Sequence, residues 1–127
     1  VRHEVFIMRE ITDLDLAYIA VTAAEGGVNY WARTDGYTGR FLDVIEENPQ
    51  TQWPLCFSFF NIIFENPISD EPPFLTAAIT PQVLMNGIRL FLEQGRTFYD
   101  MEEFGAMDAD EADVIVQLGL FGEVVFG

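Results

Sequence analysis

The chain has no lysine, one histidine and one cysteine. Each shortage removes a class of chemistry. Without lysine there is no Schiff-base amine and no lysine clamp for a phosphate. His3, the only imidazole, lies in a segment expected to fray, so a Ser-His or Cys-His relay lacks a positioned base. Transition-metal sites usually draw on several His or Cys ligands, and one of each is present. Cys56 alone permits no intrachain disulfide, and its place in the apolar stretch Leu55–Phe60 predicts a buried small hydrophobe. Gly26-Gly27 stands outside any G-x-G-x-x-G or G-K-[ST] pattern, so no phosphate loop is expected. The longest apolar stretch, Leu55–Phe64, spans about ten residues and holds Ser58 and Asn61, too short to cross a bilayer. The lack of disulfides and of a signal-peptide pattern predicts a cytosolic protein.

What is abundant is negative charge. Six arginines face twenty-one carboxylates, for a formal charge of −15. Half the residues are nonetheless hydrophobic and twelve are Phe, unlike a disordered acidic tail. Residues 1–127 therefore read as one folded domain with an aromatic core and an acidic coat. Such a coat repels nucleic acid and anionic membranes, and attracts basic surfaces, above all those of proteins that hold DNA or RNA. A GC-rich genome or a salt-adapted proteome produces the same bias, so a purely compositional origin stays open.

Local signals divide the chain. Residues 4–11 form a first strand or lead-in. Thr12, with Asp15 three residues on, marks a capping box before Leu14, Ala17, Tyr18, Val21 and Ala24 at helical spacing; Gly26-Gly27 stops that helix. Val28–Ala32 reads as a strand, Thr34–Gly39 as a turn and Phe41–Glu46 as a short strand. After a loop over Asn48–Pro54, Leu55–Glu65 reads as a central strand covered on both faces. Asn66–Pro73 is a loop and Phe74–Ile79 a strand. Thr80-Pro81 opens an amphipathic helix that lies on the sheet, with Leu84, Ile88 and Phe91 inward and Gln82, Asn86, Arg89 and Glu93 outward, ending at Gly95. Residues 96–107 read as irregular. Asp108 caps a last helix to Phe121, Gly122 stops it, and Glu123–Phe126 is a closing strand. The pattern predicts an α+β domain: a mostly antiparallel or mixed sheet of about four to six strands, with two or three helices packed on it.

The remaining chemistry is that of carboxylates. Asp100, Glu102, Glu103, Asp108, Asp110, Glu111 and Asp113 crowd together with no basic residue among them. A solvated helix start is one reading, since acids favour the positive end of the dipole. A divalent-cation loop is another, but an EF-hand pattern beginning at Asp108 fails at Ala112, Asp113 and Gly119. The third is a ridge that imitates phosphates: a helix and its flanking loop hold carboxylates some 5–7 Å apart, on the scale of a nucleic-acid charge array. No catalytic, cofactor or metal residue is assigned. The run Glu25-Gly-Gly-Val-Asn-Tyr-Trp31 reads as a helix stop followed by core aromatics, or as an interface in which Tyr30 or Trp31 anchors a partner; Trp53, beside Pro54, is a further candidate anchor.

The run at residues 25–31, together with the sequence from Asp108 to Gly127 (DADEADVIVQLGLFGEVVFG), resembles a family of small acidic bacteriophage and plasmid proteins without an established common activity. The resemblance implies a mobile-element origin and a bacterial host cytoplasm. Small acidic proteins of that origin are often inhibitors of host defence, of the anti-restriction or anti-CRISPR type. The leading expectation is therefore a non-enzymatic acidic nucleic-acid mimic. It would meet a host protein or ribonucleoprotein with a basic surface and bind no nucleic acid or membrane itself. The alternative is a protein-interaction module or homo-oligomeric accessory protein, a homodimer included, that binds through aromatic anchors. A Mg²⁺-dependent hydrolase is disfavoured, because few cations are available to hold a phosphate substrate.

Overall fold

A computed structural model describes residues 10–96 and 107–127. The first helix begins at the Thr12 capping box. The Thr12 hydroxyl accepts from Asp15 N, and the Asp15 carboxylate accepts from Thr12 N at 2.8 Å. These reciprocal bonds satisfy two backbone donors at the start of α1 (Asp13–Thr22), which runs into a single wider π-turn over Ala23–Gly27. Leu16, Ala17, Ile19 and Ala20 are all fully buried, and α1 touches the other three helices.

The chain then forms β1 (Ala32–Asp35), α2 (Arg40–Glu47), β2 (Phe60–Glu65), β3 (Phe74–Ile79), α3 (Pro81–Glu93) and α4 (Ala109–Phe121). The class is α+β, as expected. Among the described residues there are four α-helices and one open three-stranded antiparallel sheet in the order β1-β2-β3, so the strand number falls short of the four to six expected.

Register explains how the sheet meets the core. Ala32 pairs with Phe64, Thr34 with Ile62, and Phe60 with Ile79, and these residues face inward. Arg33, Ile63 and Thr76 align on the other face, as do Asp35, Asn61 and Ala78. β2 is central, but it alternates buried and exposed positions instead of being covered on both sides.

Four further expectations are corrected. Val28–Trp31 is a turn, and the strand starts only at Ala32; Val28 N and Ala32 N bond back to Ala23 O and Val28 O in helical style. Phe41–Glu46 lies in α2, because Phe41 and Ile45, four apart, are the residues buried, while Asp43, Glu46 and Glu47 fall outside. Glu123–Phe126 is not a strand. Cys56 is exposed, in a turn before β2.

Caps place the last two helices as the sequence predicts. Thr80 accepts from Val83 N with Pro81 in the first turn of α3, and Asp108 accepts from Glu111 N at 2.8 Å to start α4. The two helices run antiparallel and very close. A Cβ on Gly87 would lie 2.0 Å from Ile115 O, and one on Gly119 would lie 2.1 Å from Val83 O. Only glycine at both sites permits this approach.

Candidate functional site

The described members of the acidic run do not all face outward. Asp100, Glu102 and Glu103 lie outside the described residues. Asp108 and Asp110 are exposed on the first turn of α4, and Glu111 is half-buried. Asp113 points inward and is only 6% exposed. This corrects its assignment to a partner-binding surface. Helical periodicity is the reason: with Ala112, Ile115 and Val116 buried, position 113 falls on the packed side of α4.

Asp113 is the centre of a polar network. Its Oδ2 accepts from the Tyr30 hydroxyl at 2.6 Å, and its Oδ1 accepts from Trp31 Nε1 at 2.7 Å and Gln117 Nε2 at 3.0 Å. Gln117 is fully buried, and its Oε1 accepts from Val125 N at 2.8 Å and Phe126 N at 2.7 Å. Among the described residues, no buried side-chain polar atom lacks a partner. A satisfied network of this kind in low dielectric stiffens its surroundings. Loss of water around the phenol, followed by the Asp113 hydrogen bond and charge, pushes the Tyr30 pKa up to about 12. The Tyr37 hydroxyl donates to Glu25; burial first, and then that carboxylate, push its pKa upward too.

The proposed aromatic anchors are largely committed to the fold. Trp31 stacks on Phe126, with ring centroids 4.7 Å apart, and meets Phe64 and Phe121 edge-on. Trp53 stacks on Phe57 at 5.0 Å and meets Phe41 and Phe59 edge-on, while its backbone N donates to the buried Asp13 carboxylate at 2.9 Å. Tyr30 is 60% exposed, but its hydroxyl is turned to Asp113.

Among the described residues, two groups of exposed carboxylates lie on helices. One is Asp108 and Asp110 on the first turn of α4. The other was missed: Asp43, Glu46 and Glu47 line the exposed side of α2. The strand misassignment hid it, whereas spacing of three and four residues would have revealed it. Arg96 interrupts the first surface. It shares an open hollow of about 430 Å³ with Asp108, Asp110 and Glu111, and its guanidinium lies 5.9 Å from the Phe91 ring centroid.

Of the anchors named from the sequence only Tyr30 is among the exposed large apolar residues; the others that stand out were not named. Phe74 is 60% exposed and Ile68 92%. Phe74, Ile63 and Arg33 border a hollow of about 310 Å³ on the open face of the sheet. Among the described residues, no three His, Cys, Asp or Glu side chains gather as a metal site, and no helix is long and apolar enough to cross a membrane. Comparison with known protein families, with curated proteins and with solved structures finds no match for this chain.

Proposed function

We propose that the protein is a non-enzymatic acidic inhibitor that occupies a basic DNA- or RNA-binding surface of a partner. The observation that carries this reading is the exposed carboxylate row Asp43, Glu46 and Glu47 on α2, a helix whose opposite side, Phe41 and Ile45, is buried in the core. A row on a packed helix is held in place, and Asp43 sits one turn from both Glu46 and Glu47. Asp108 and Asp110, exposed on the first turn of α4, form a second acidic surface. A groove built to grip phosphates with Arg and Lys would accept such rows and release counterions on doing so. The resemblance to phage and plasmid proteins adds the class of partner: a nucleic-acid-binding complex of host defence, in the bacterial cytoplasm.

The test is capture from bacterial lysate at low salt, with and without competing duplex DNA or structured RNA. The reading predicts a nucleic-acid-binding protein whose capture is lost with competitor, with added salt, and with D43K/E46K/E47K or D108K/D110K. Capture indifferent to competitor, to salt and to both variants would refute it.

A second reading has its own observation. Phe74 stands exposed on the open face of the sheet, beside Ile63 and Arg33 at the rim of an open hollow, and such a surface suits a protein partner or a second copy. Binding there would survive salt and be lost on Phe74→Ala.

A further inference from the structure

Residues 123–127 are neither helix nor strand, yet they are held closely, and by side chains. Gln117 makes most of the polar contacts. Its Oε1 accepts from Val125 N and Phe126 N, and its Nε2 donates to Phe126 O at 3.0 Å. The Tyr30 oxygen, its proton directed to Asp113, lies 3.0 Å from the same carbonyl. One side-chain amide therefore meets the segment much as a neighbouring strand would, through two N–H groups and one C=O. The Phe126 ring completes the hold. It lies flat on Trp31, 7° from parallel, with Phe64 and Phe121 edge-on at 6.2 and 6.0 Å. Val124 and Val125 are 40% and 38% exposed, so the segment lies on the surface instead of filling the interior.

Main-chain hydrogen bonds together with one side-chain slot are the means by which proteins bind extended peptides. Gly122 connects α4 to the segment at φ +77° with open space around it, a natural pivot. We propose that Gln117, Trp31, Phe64 and Phe121 form a peptide-reading groove, occupied in cis by residues 123–127 as a displaceable strap. Its ligand is an extended peptide that presents an aliphatic residue followed by an aromatic one. The occupant supplies the argument for that chemistry: the backbone groups of Val125 and Phe126 are what Gln117 reads, and the Phe126 ring is what the aromatic slot holds. Nothing in this depends on the acidic rows, so it stands or falls apart from the inhibitor reading.

The experiment uses the full chain carrying Phe126→Ala, which loses the anchor of its own strap. A synthetic peptide of residues 122–127, Gly-Glu-Val-Val-Phe-Gly, is titrated while tryptophan fluorescence is followed. A saturable change is expected, absent when the peptide carries Ala for Phe and much weaker with the unaltered chain, whose groove is filled. A folded variant, judged by circular dichroism, that gives no saturable response at millimolar peptide overturns the proposal. If the variant does not fold, hydrogen exchange on the unaltered chain decides. A strap opens by itself, so the Val125 and Phe126 amides should exchange at least ~100-fold faster than those of Ile115 and Val116. Exchange of all four at one common rate makes the segment part of the cooperative core and overturns the proposal.

Discussion

The Trp31 indole N–H lies 2.7 Å from Asp113 Oδ1, across 82 residues of sequence. This bond ties the turn after α1 to the body of α4 and decides what Asp113 can do: a carboxylate that holds Trp31, Tyr30 and Gln117 is a structural acceptor. Replacing Trp31 by Phe keeps the ring stack but removes one of these donors, and should destabilise the fold by about 1–3 kcal/mol. Asp113→Asn should cost less than Asp113→Ala. An Asn oxygen still accepts from Trp31 and Gln117, and its amide can donate to the Tyr30 oxygen, whose proton can turn to Phe126 O. Asp113→Lys should largely unfold the chain, because it sets a cation among three donors. Urea denaturation, comparing midpoints at constant slope, measures all four.

Gly87 and Gly119 set the distance between α3 and α4. A methyl group at either would overlap a backbone carbonyl of the other helix, which cannot rotate aside as a side chain can. Gly87→Ala and Gly119→Ala should each cost about 1–3 kcal/mol through overpacking. Once one methyl has pushed the helices apart, the second meets less resistance. The double variant should therefore lose less than the sum of the two, and a double-mutant cycle from thermal or urea unfolding reads that coupling.

Cys56 is exposed in the turn before β2. It should react with a maleimide or an aromatic disulfide reagent in native buffer, at a rate close to that after denaturation, leaving the circular dichroism unchanged. A thiol that reacts only once denaturant is present would place the side chain in the interior instead.

The contrast between Cys56 and the helix caps indicates what a sequence exposes. Thr12 with Asp15, Thr80 with Pro81, and Asp108 and Gly122 at the two ends of α4 were all legible, because each cap is made with residues within one turn of it. Phe41–Glu46 was misread because its Phe, Val and Ile suit a strand, while the evidence for a helix is the burial of Phe41 and Ile45 against the rest of the protein. Leu55–Phe59 was absorbed into the neighbouring strand by apolar composition alone, although a turn interrupts it and Cys56 points outward. Asp113 could not be separated from Asp110 and Glu111 by local pattern, since its partners Tyr30 and Trp31 come from far along the chain and only the folded arrangement joins them. The α+β class survived these errors because the alternation of helix caps with extended apolar runs does not depend on where each run begins.

The same network gives the protein a defined response to alkali. The Tyr30 pKa is raised from 10 to about 12, chiefly by loss of water and then by the Asp113 carboxylate. A tyrosine whose folded pKa exceeds its unfolded value binds its proton more tightly in the native state. Its contribution to stability is complete below pH 10 and is lost as pH rises through the folded pKa of about 12. Tyr37, raised by burial and Glu25, acts with the same sign. Unfolding should therefore become easier between pH 10 and 12, with phenolate absorbance rising in step with the loss of helical circular dichroism. Tyr30→Phe should weaken that pH dependence, though it also removes a hydrogen bond and lowers stability at neutral pH. Asp113→Asn should bring the Tyr30 titration to lower pH, because it deletes the charge that disfavours the phenolate. A Tyr30 phenolate that forms near pH 10 in the folded chain, with no change in structure, would mean that the hydroxyl is not held by Asp113 in solution.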